Sequence, residues 1–92
     1  MSRTEIHDTV RRYISRELLG GDDDGLTGTT NLLETGILDS MAMVELIAFV
    51  EQKFNVLVPD AEVKPSHFET LDSVTDLVHR LHQKSPALQP TP

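Results

Sequence analysis

Residues 39–54 read DSMAMVELIAFVEQKF, and this stretch decides the fold because its apolar side chains recur at helical spacing. Asp39 is a favourable N-cap, since its carboxylate accepts backbone N–H groups and suits the positive end of a helix dipole. Asn55 suits the C-terminal end of a helix, where a residue in the left-handed conformation is common. The stretch therefore predicts a helix that begins near Asp39 or Ser40 and ends at Phe54.

This predicted helix has two apolar faces. Counted from Met41 at about 100° per residue, a core stripe lies between about 140° and 240°. The stripe contains Met43, Leu46, Ile47, Val50 and Phe54. A second apolar group lies nearly opposite the stripe and contains Met41, Val44 and Ala48. It is flanked by the polar residues Glu45, Glu51 and Gln52. Either the helix is buried on almost all sides, or it exposes a surface with an apolar centre and an acidic rim.

Three further helical segments are predicted on either side of this helix. The spacing of apolar residues predicts a first helix from Thr4 to about Leu19, ended by two glycines. Residues 21–38 lack a clear period, so we expect a long loop pinned to the core by its leucines. Residues 65–68 predict a short helical turn, and a last helix begins at Thr70 or Asp72 and ends at Gln83. The sequence thus predicts an all-α four-helix bundle of three long helices and one short helix, with a long first connection.

The chain length of 92 residues allows one domain. We expect one folded domain over residues 1–84 and a disordered tail over 85–92, where three prolines occur in eight residues. No apolar run reaches the roughly 18 residues of a membrane span, no secretory signal is visible, and there is no cysteine. We therefore expect a cytoplasmic protein without membrane contacts. The expected core is Ile6, Val10, Ile14, Leu18, Leu32, Leu46, Ile47, Val50, Phe54, Phe68, Val74, Leu77, Val78 and Leu81.

The formal net charge of −7 argues against a nucleic-acid partner, because such a protein needs a basic face to displace counterions from phosphate. The charge is concentrated in the middle of the chain, where residues 22–62 hold nine acidic side chains against Lys53 alone. This region is either a solvated acidic surface or a docking surface for basic partners, and composition does not decide between them.

Ser40 lies at the predicted start of the second helix, directly after the N-cap. Free backbone amides and the helix dipole favour a phosphate group at such a position. The position suits a serine that carries a phosphodiester. The alternative is that Ser40 is an ordinary first-turn residue.

The segment LDSMAMVEL at residues 38–46 resembles the phosphopantetheine attachment motif of the acyl and peptidyl carrier protein family. The resemblance extends to the approach loop NLLETG at 31–36, to the helix exit at 51–60 and to FETLDSV at 68–74. It covers about residues 4–83. The approach GILDS at 36–40 is similar to that of D-alanyl carrier proteins and of some discrete carriers of specialised metabolism.

The resemblance implies a non-catalytic four-helix carrier domain. A phosphopantetheinyl transferase would attach 4'-phosphopantetheine from coenzyme A to Ser40, with Asp39 as the helix cap that the transferase recognises. The thiol of that arm would then hold an acyl or aminoacyl group as a thioester. The implied partners are an adenylate-forming ligase or an acyltransferase that loads the arm, and condensing or tailoring enzymes that use the cargo. We expect a monomer.

Partners of this family dock mainly on the second helix. By position, that role falls to the residues opposite the core stripe, which we call the docking face: Met41, Val44, Glu45, Ala48, Glu51 and Gln52. Met41 stands where leucine is commoner in the family, and Gln52 and Lys53 stand where fatty-acid carriers usually have acids. These departures argue against recognition by fatty-acid synthase enzymes. Because the chain begins with Met1 and shows no adjoining domain, we expect a free-standing carrier of specialised metabolism, of the polyketide or nonribosomal peptide kind, with a cargo that the sequence does not identify.

Competing functions are weaker. A hydrolase with Ser40 as nucleophile would need a glycine-framed strand–turn–helix elbow and a histidine partner, and the sequence around Ser40 offers neither. A calcium loop on residues 22–25 would place Gly20 and Asn31 where oxygen ligands are required. His79 and His82 give two ligands, too few for a metal site. A protein-interaction module with the same fold and an unmodified or phosphorylated Ser40 remains the alternative, and only the chemistry of Ser40 separates it from a carrier.

Overall fold

The computed structural model describes residues 2–21 and 26–84, and within them the chain forms four α-helices and no β-strand. The helices are α1 (Arg3–Tyr13), α2 (Ser40–Phe54), α3 (Pro65–Phe68) and α4 (Leu71–Lys84). A π-helical turn (Ile14–Leu18) extends α1, and a 3-10 turn (Asp60–Glu62) precedes α3. The predicted all-α bundle of three long helices and one short helix is confirmed. The expected tail and the acidic segment at 22–25 lie outside the described residues.

The first helix begins one residue earlier than predicted and ends differently. Ser2 and Glu5 form a capping box, in which the Glu5 N–H donates to Ser2 Oγ at 3.2 Å and the Ser2 N–H donates to Glu5 Oε1 at 3.3 Å. The expected α-helix to Leu19 is wrong over its last turn, because the Leu19 N–H donates to the Ile14 carbonyl five residues back. Gly20 and Gly21 follow with φ values of 65° and 93°, as a helix exit with glycine requires.

The long connection between α1 and α2 is fixed to the start of α4 by backbone hydrogen bonds. The Leu32 N–H donates to the Glu69 carbonyl at 2.7 Å, and the Asp72 N–H donates to the Gly28 carbonyl at 3.0 Å. Leu26, Leu32 and Leu38 of this connection are buried. The prediction of a loop pinned to the core by leucines is therefore confirmed.

The first helix packs mainly against α4. Two polar contacts border this interface: Arg3 Nη2 lies 2.7 Å from Asp76 Oδ1, and His7 Nε2 lies 3.3 Å from Asp72 Oδ1. Both pairs are partly exposed, so each contributes at most about 1 kcal/mol to stability. The interface depends mainly on the apolar stripes of the two helices. None of the described helices is long and apolar enough to cross a membrane.

The core contains the predicted residues except two, Leu18 and Ile47, which are only half-buried. Leu18 leaves the core because each π turn takes in one more residue than an α turn, which rotates the stripe; Ser15 is buried instead. On α2 the buried face includes Ala42, so it is rotated away from Ile47 relative to the prediction. The buried apolar residues outside the expected core list are Leu26, Leu38, Ala42, Val56 and Leu71.

Candidate functional site

The start of α2 is capped by Asp39, as predicted. The Asp39 backbone is extended, with φ −89° and ψ −175°, and its Oδ1 atom accepts the Ala42 N–H at 2.8 Å. This bond satisfies one of the free donors at the helix N-terminus. Ser40 is therefore the first helical residue, and its position is fixed by the cap before it.

The approach to Ser40 is an ordered turn. Asn31 Oδ1 accepts the N–H groups of Leu33 at 3.1 Å and Glu34 at 2.8 Å, and the Leu38 N–H donates to the Leu32 carbonyl at 2.9 Å. Gly36 has φ 78°, a conformation that favours glycine. With Leu32 and Leu38 buried at its two ends, the turn holds the start of α2 against the core.

The Ser40 side chain is exposed and makes no hydrogen bond to any residue in the ranges 2–21 and 26–84. Its hydroxyl lies at the end of α2 where unpaired N–H groups and the helix dipole give a positive potential. A phosphodiester on this hydroxyl would be stabilised by that potential. The position therefore provides an accessible acceptor oxygen and an environment suited to an anion.

The docking face is exposed over most of its area. Met41 is 70% exposed and Val44 is 65% exposed, unusually high values for apolar side chains of a small domain. Glu45, Ala48 and Gln52 are also exposed. The alternative in which α2 is buried on nearly all sides is therefore wrong. The predicted apolar centre is exposed, while of the two acids predicted for its rim only Glu45 is fully exposed.

Glu51 differs from the other members of the docking face. It is half-buried, and its Oε2 atom accepts the Val58 N–H at 2.9 Å. The Glu51 carbonyl also accepts the N–H of Asn55, which adopts the left-handed conformation that ends α2. Glu51 thus holds the segment that follows α2 onto the helix, a structural contact that the angular argument did not reveal.

Two exposed apolar residues beyond α2 were missed by the sequence analysis. Leu57 is 60% exposed and Val63 is 38% exposed. Along the apolar run at 56–58 the exposure alternates: Val56 is buried, Leu57 is exposed and Val58 is half-buried. These two residues add apolar surface between α2 and α3.

The segment around Val63 is fixed to α4 by a small charged cluster. Glu62 accepts two hydrogen bonds from the Arg80 guanidinium, each at 3.1 Å, and His67 Nδ1 lies 3.2 Å from Glu62 Oε1. The hydrogen bonds from Arg80, together with the positive charge nearby, hold the pKa of the Glu62 carboxyl below its usual value. The cluster positions this segment rather than offering reactive groups.

The competing sites find no support in the described part of the chain. His7 pairs with Asp72, His67 pairs with Glu62, and His79 contacts Gln83, so none of these three partners Ser40. Among residues 2–21 and 26–84, no group of three or more potential metal ligands comes together. The predicted two-histidine pair at 79 and 82 therefore gains no third ligand.

Comparison with known proteins places this geometry in a family. A family model described as "Phosphopantetheine attachment site" matches residues 8–81. The "Probable acyl carrier protein PigG" of a Serratia species is 38% identical over 75% of this chain and 79% of its own length. The "D-alanyl carrier protein" of Lacticaseibacillus casei is 36% identical over 66% of this chain and 75% of its own length. A chain in the solved structure "Crystal structure of FAD-dependent dehydrogenase" is 41% identical, with a TM-score of 0.71, and covers 76% of this chain and 99% of that one.

Proposed function

This chain belongs to the phosphopantetheine-binding carrier protein family, whose cofactor is a covalently attached 4'-phosphopantetheine, and we propose that Ser40 carries the arm. The observation that carries the proposal is the geometry of Ser40: an exposed hydroxyl, without a hydrogen bond to the described residues, on the first residue of α2. The family match includes this position.

The chain contributes position and electrostatics rather than catalysis. In the transferase, the Ser40 oxygen forms a bond to the phosphorus that bears the pantetheine arm, and adenosine 3',5'-bisphosphate leaves from coenzyme A. Asp39 keeps Ser40 at the helix start, and the α2 dipole stabilises the resulting phosphodiester. The arm supplies the thiol that the chain itself lacks, since the sequence has no cysteine. A cargo held on that thiol as a thioester would be activated, and the reach of the arm would raise its effective concentration in each partner's site.

The docking face is the proposed contact for partner enzymes. Its centre, formed by Met41 and Val44, is apolar, and Glu45 at its rim matches basic partners. Leu57 and Val63 extend the apolar surface toward α3. The partners are a phosphopantetheinyl transferase, a loading ligase or acyltransferase, and enzymes that modify or condense the cargo. The face must stay accessible to each of them, which favours a monomer, and the need for coenzyme A favours the cytoplasm.

Discrete specialised metabolism is the proposed context. Gln52 and Lys53 replace acids that fatty-acid carriers usually have, and both are exposed, so they alter the charge that a partner meets. The similar chain in a structure described as an FAD-dependent dehydrogenase supports a flavin dehydrogenase among the tailoring partners. Such an enzyme would remove two hydrogens from the tethered acyl group, and a mass decrease of the loaded chain on incubation with it would report that step.

The alternative function is an interaction module in which Ser40 is unmodified. Intact-protein mass spectrometry separates the two after incubation with coenzyme A, magnesium and a broad-specificity phosphopantetheinyl transferase. We expect the wild type to gain one phosphopantetheine and Ser40→Ala to gain none. Ser66→Ala is the matched control, because Ser66 is also exposed in the first turn of a helix, and it should be modified like the wild type.

Two results would overturn the assignment. Modification of Ser40→Ala would place the arm on another residue. Failure to modify folded wild type, while a known carrier is modified in the same reaction, would leave the interaction module as the function and the docking face as its binding site.

A further inference from the structure

A surface groove lies between the end of α1 and the second half of α2, away from Ser40. It has a volume of about 400 Å³. Its lining is formed by Thr9, Arg12, Tyr13, Arg16, Glu17, Phe49 and Lys53. The Tyr13 and Phe49 rings are stacked, with centroids 4.2 Å apart and an interplanar angle of 19°. The groove therefore has an aromatic wall and three cationic side chains.

The cations of the groove are notable in a chain with a formal net charge of −7. Elsewhere, Arg3 pairs with Asp76 and Arg80 pairs with Glu62. Arg12, Arg16 and Lys53 are exposed, and none of them makes an ion pair within the described ranges. Three positive charges thus remain uncompensated along one groove. Their repulsion favours a negatively charged occupant.

Two acidic side chains lie near the groove and limit this positive potential. Glu17 is part of the lining, and Glu45 lies close to Tyr13. Burial, followed by the charges of these two carboxylates, raises the pKa of Tyr13. Since Glu45 belongs to the docking face, the groove and the docking face adjoin. The cations still outnumber the lining acid by three to one.

The spacing of the cations indicates the kind of occupant. Arg12 and Arg16 are four residues apart, about one helical turn, and Lys53 lies on the other helix. Acidic residues spread along a polypeptide can pair with all three cations where they stand, whereas a single phosphate or carboxylate would have to gather the three side chains around it. The aromatic wall adds a site for an apolar or aromatic side chain. A nucleic acid or a second copy of this chain would meet strong repulsion from the overall negative charge.

We propose that this groove binds an acidic polypeptide segment of a partner protein, a segment that carries an aromatic side chain among several carboxylates. The groove is distinct from Ser40 and adjoins the docking face. The acidic segment of one partner could therefore hold the carrier in the groove while another enzyme uses the docking face. A weak contact of this kind raises the effective concentration of the carrier near its enzymes.

The experiment is a titration of the full, isotope-labelled chain, followed by backbone amide NMR shifts. The probe is a synthetic peptide with one tryptophan flanked by glutamates, and the control peptide has glutamines in their place. We expect saturable shifts centred on Tyr13, Arg16 and Phe49. The double variant Arg12→Glu/Arg16→Glu should bind about tenfold more weakly, because two attractions become repulsions. Lys64→Glu, a charge reversal at another exposed cation, should change the affinity less than about twofold.

Several results would overturn the proposal. One is the absence of saturable shifts at millimolar peptide; another is equal weakening by Lys64→Glu and the double variant, with both variants folded by circular dichroism. Binding of indoleacetate as tight as that of the peptide would assign the groove to a small anion. Self-association of the free chain that the double variant abolishes would assign it to a second copy. Equal affinities of the glutamate peptide and the glutamine peptide would show that the carboxylates do not contribute to binding.

Discussion

The start of α4 and the start of α2 use the same capping chemistry with opposite results. At α4, Thr70 and Ser73 cap each other: the Ser73 N–H donates to Thr70 Oγ1 at 3.0 Å, the Thr70 N–H donates to Ser73 Oγ at 3.2 Å, and the two hydroxyls lie 2.6 Å apart. At α2, Asp39 alone caps the helix and the hydroxyl of Ser40 has no described partner. Both caps thus bond the N–H of the third helical residue, but α4 adds a second hydroxyl partner, whereas the Ser40 hydroxyl stays available, as our proposal that it carries the arm requires.

The two starts also differ in burial, and this difference gives the largest expected effect. Leu71, the first residue of α4, is 0% exposed, whereas Met41, the second residue of α2, is 70% exposed. Leu71→Ala should lower the free energy of unfolding by about 2–5 kcal/mol, because it leaves a cavity. Met41→Ala should change it by less than about 0.5 kcal/mol. Urea unfolding followed by circular dichroism measures both, and equal losses would contradict the contrast.

The caps themselves give the next effect. Thr70→Ala and Asp39→Ala should each lower the free energy of unfolding by about 0.5–2 kcal/mol, since each removes a helix cap. Asp39→Asn sharpens the comparison, because asparagine caps as well as aspartate and removes only the charge. We expect near-normal stability for Asp39→Asn but slower modification of Ser40 by the transferase. If Asp39→Asn is modified at the normal rate, the transferase does not recognise the charge of Asp39.

A smaller effect separates the two acids of the docking face. Glu51→Gln weakens the bond to the Val58 N–H, and Glu51→Ala removes it, so the alanine variant should lose about 0.5–1.5 kcal/mol of stability. Glu45→Ala should lose less than about 0.5 kcal/mol, because Glu45 is exposed. At low salt, Glu45→Lys should slow the loading of cargo by the cognate ligase. If Glu45→Ala destabilised the fold as much as Glu51→Ala, the distinction between a contact residue and a structural residue would fail.

The smallest effect is the pH dependence of the Glu62 cluster. Hydrogen bonds from Arg80 hold the pKa of Glu62 below 4.5, its ordinary value. A carboxylate with a lowered pKa in the folded state stabilises the fold above the unfolded pKa and loses that contribution as pH falls through the folded pKa. As the pH is lowered below 4.5, the midpoint temperature of unfolding should therefore decrease less steeply for Arg80→Gln than for the wild type. Parallel acid profiles would show that the pair contributes nothing, and high salt should reduce the difference.

Sequence periodicity predicted most of the fold, because helices with one apolar stripe have few other solutions. It placed Ser40 at the start of α2 and correctly separated Met41 and Val44 from the core. It missed Val56, since residues outside the helices have no period that shows which side chains are buried. It missed the π turn because that turn depends on backbone hydrogen bonds to carbonyls five residues back, such as Leu19 N–H to Ile14 O, rather than on side-chain pattern.

The candidate site was predictable to a similar degree. The pattern assigned Glu51 to the docking face, but its bond to Val58 depends on the path of the chain after Asn55, which periodicity does not give. The groove beside α1 was also invisible, because its cations come from two helices whose relative placement follows from the packing of the whole bundle.

The stacking of Tyr13 on Phe49 has a spectroscopic consequence. The chain has one tyrosine and no tryptophan, so its intrinsic ultraviolet emission comes from a single ring. That ring lies in the groove and near Glu45 of the docking face. The protein thus contains a built-in optical reporter, and a change in tyrosine emission when a peptide without tyrosine or tryptophan binds would locate the event at this junction without any added label.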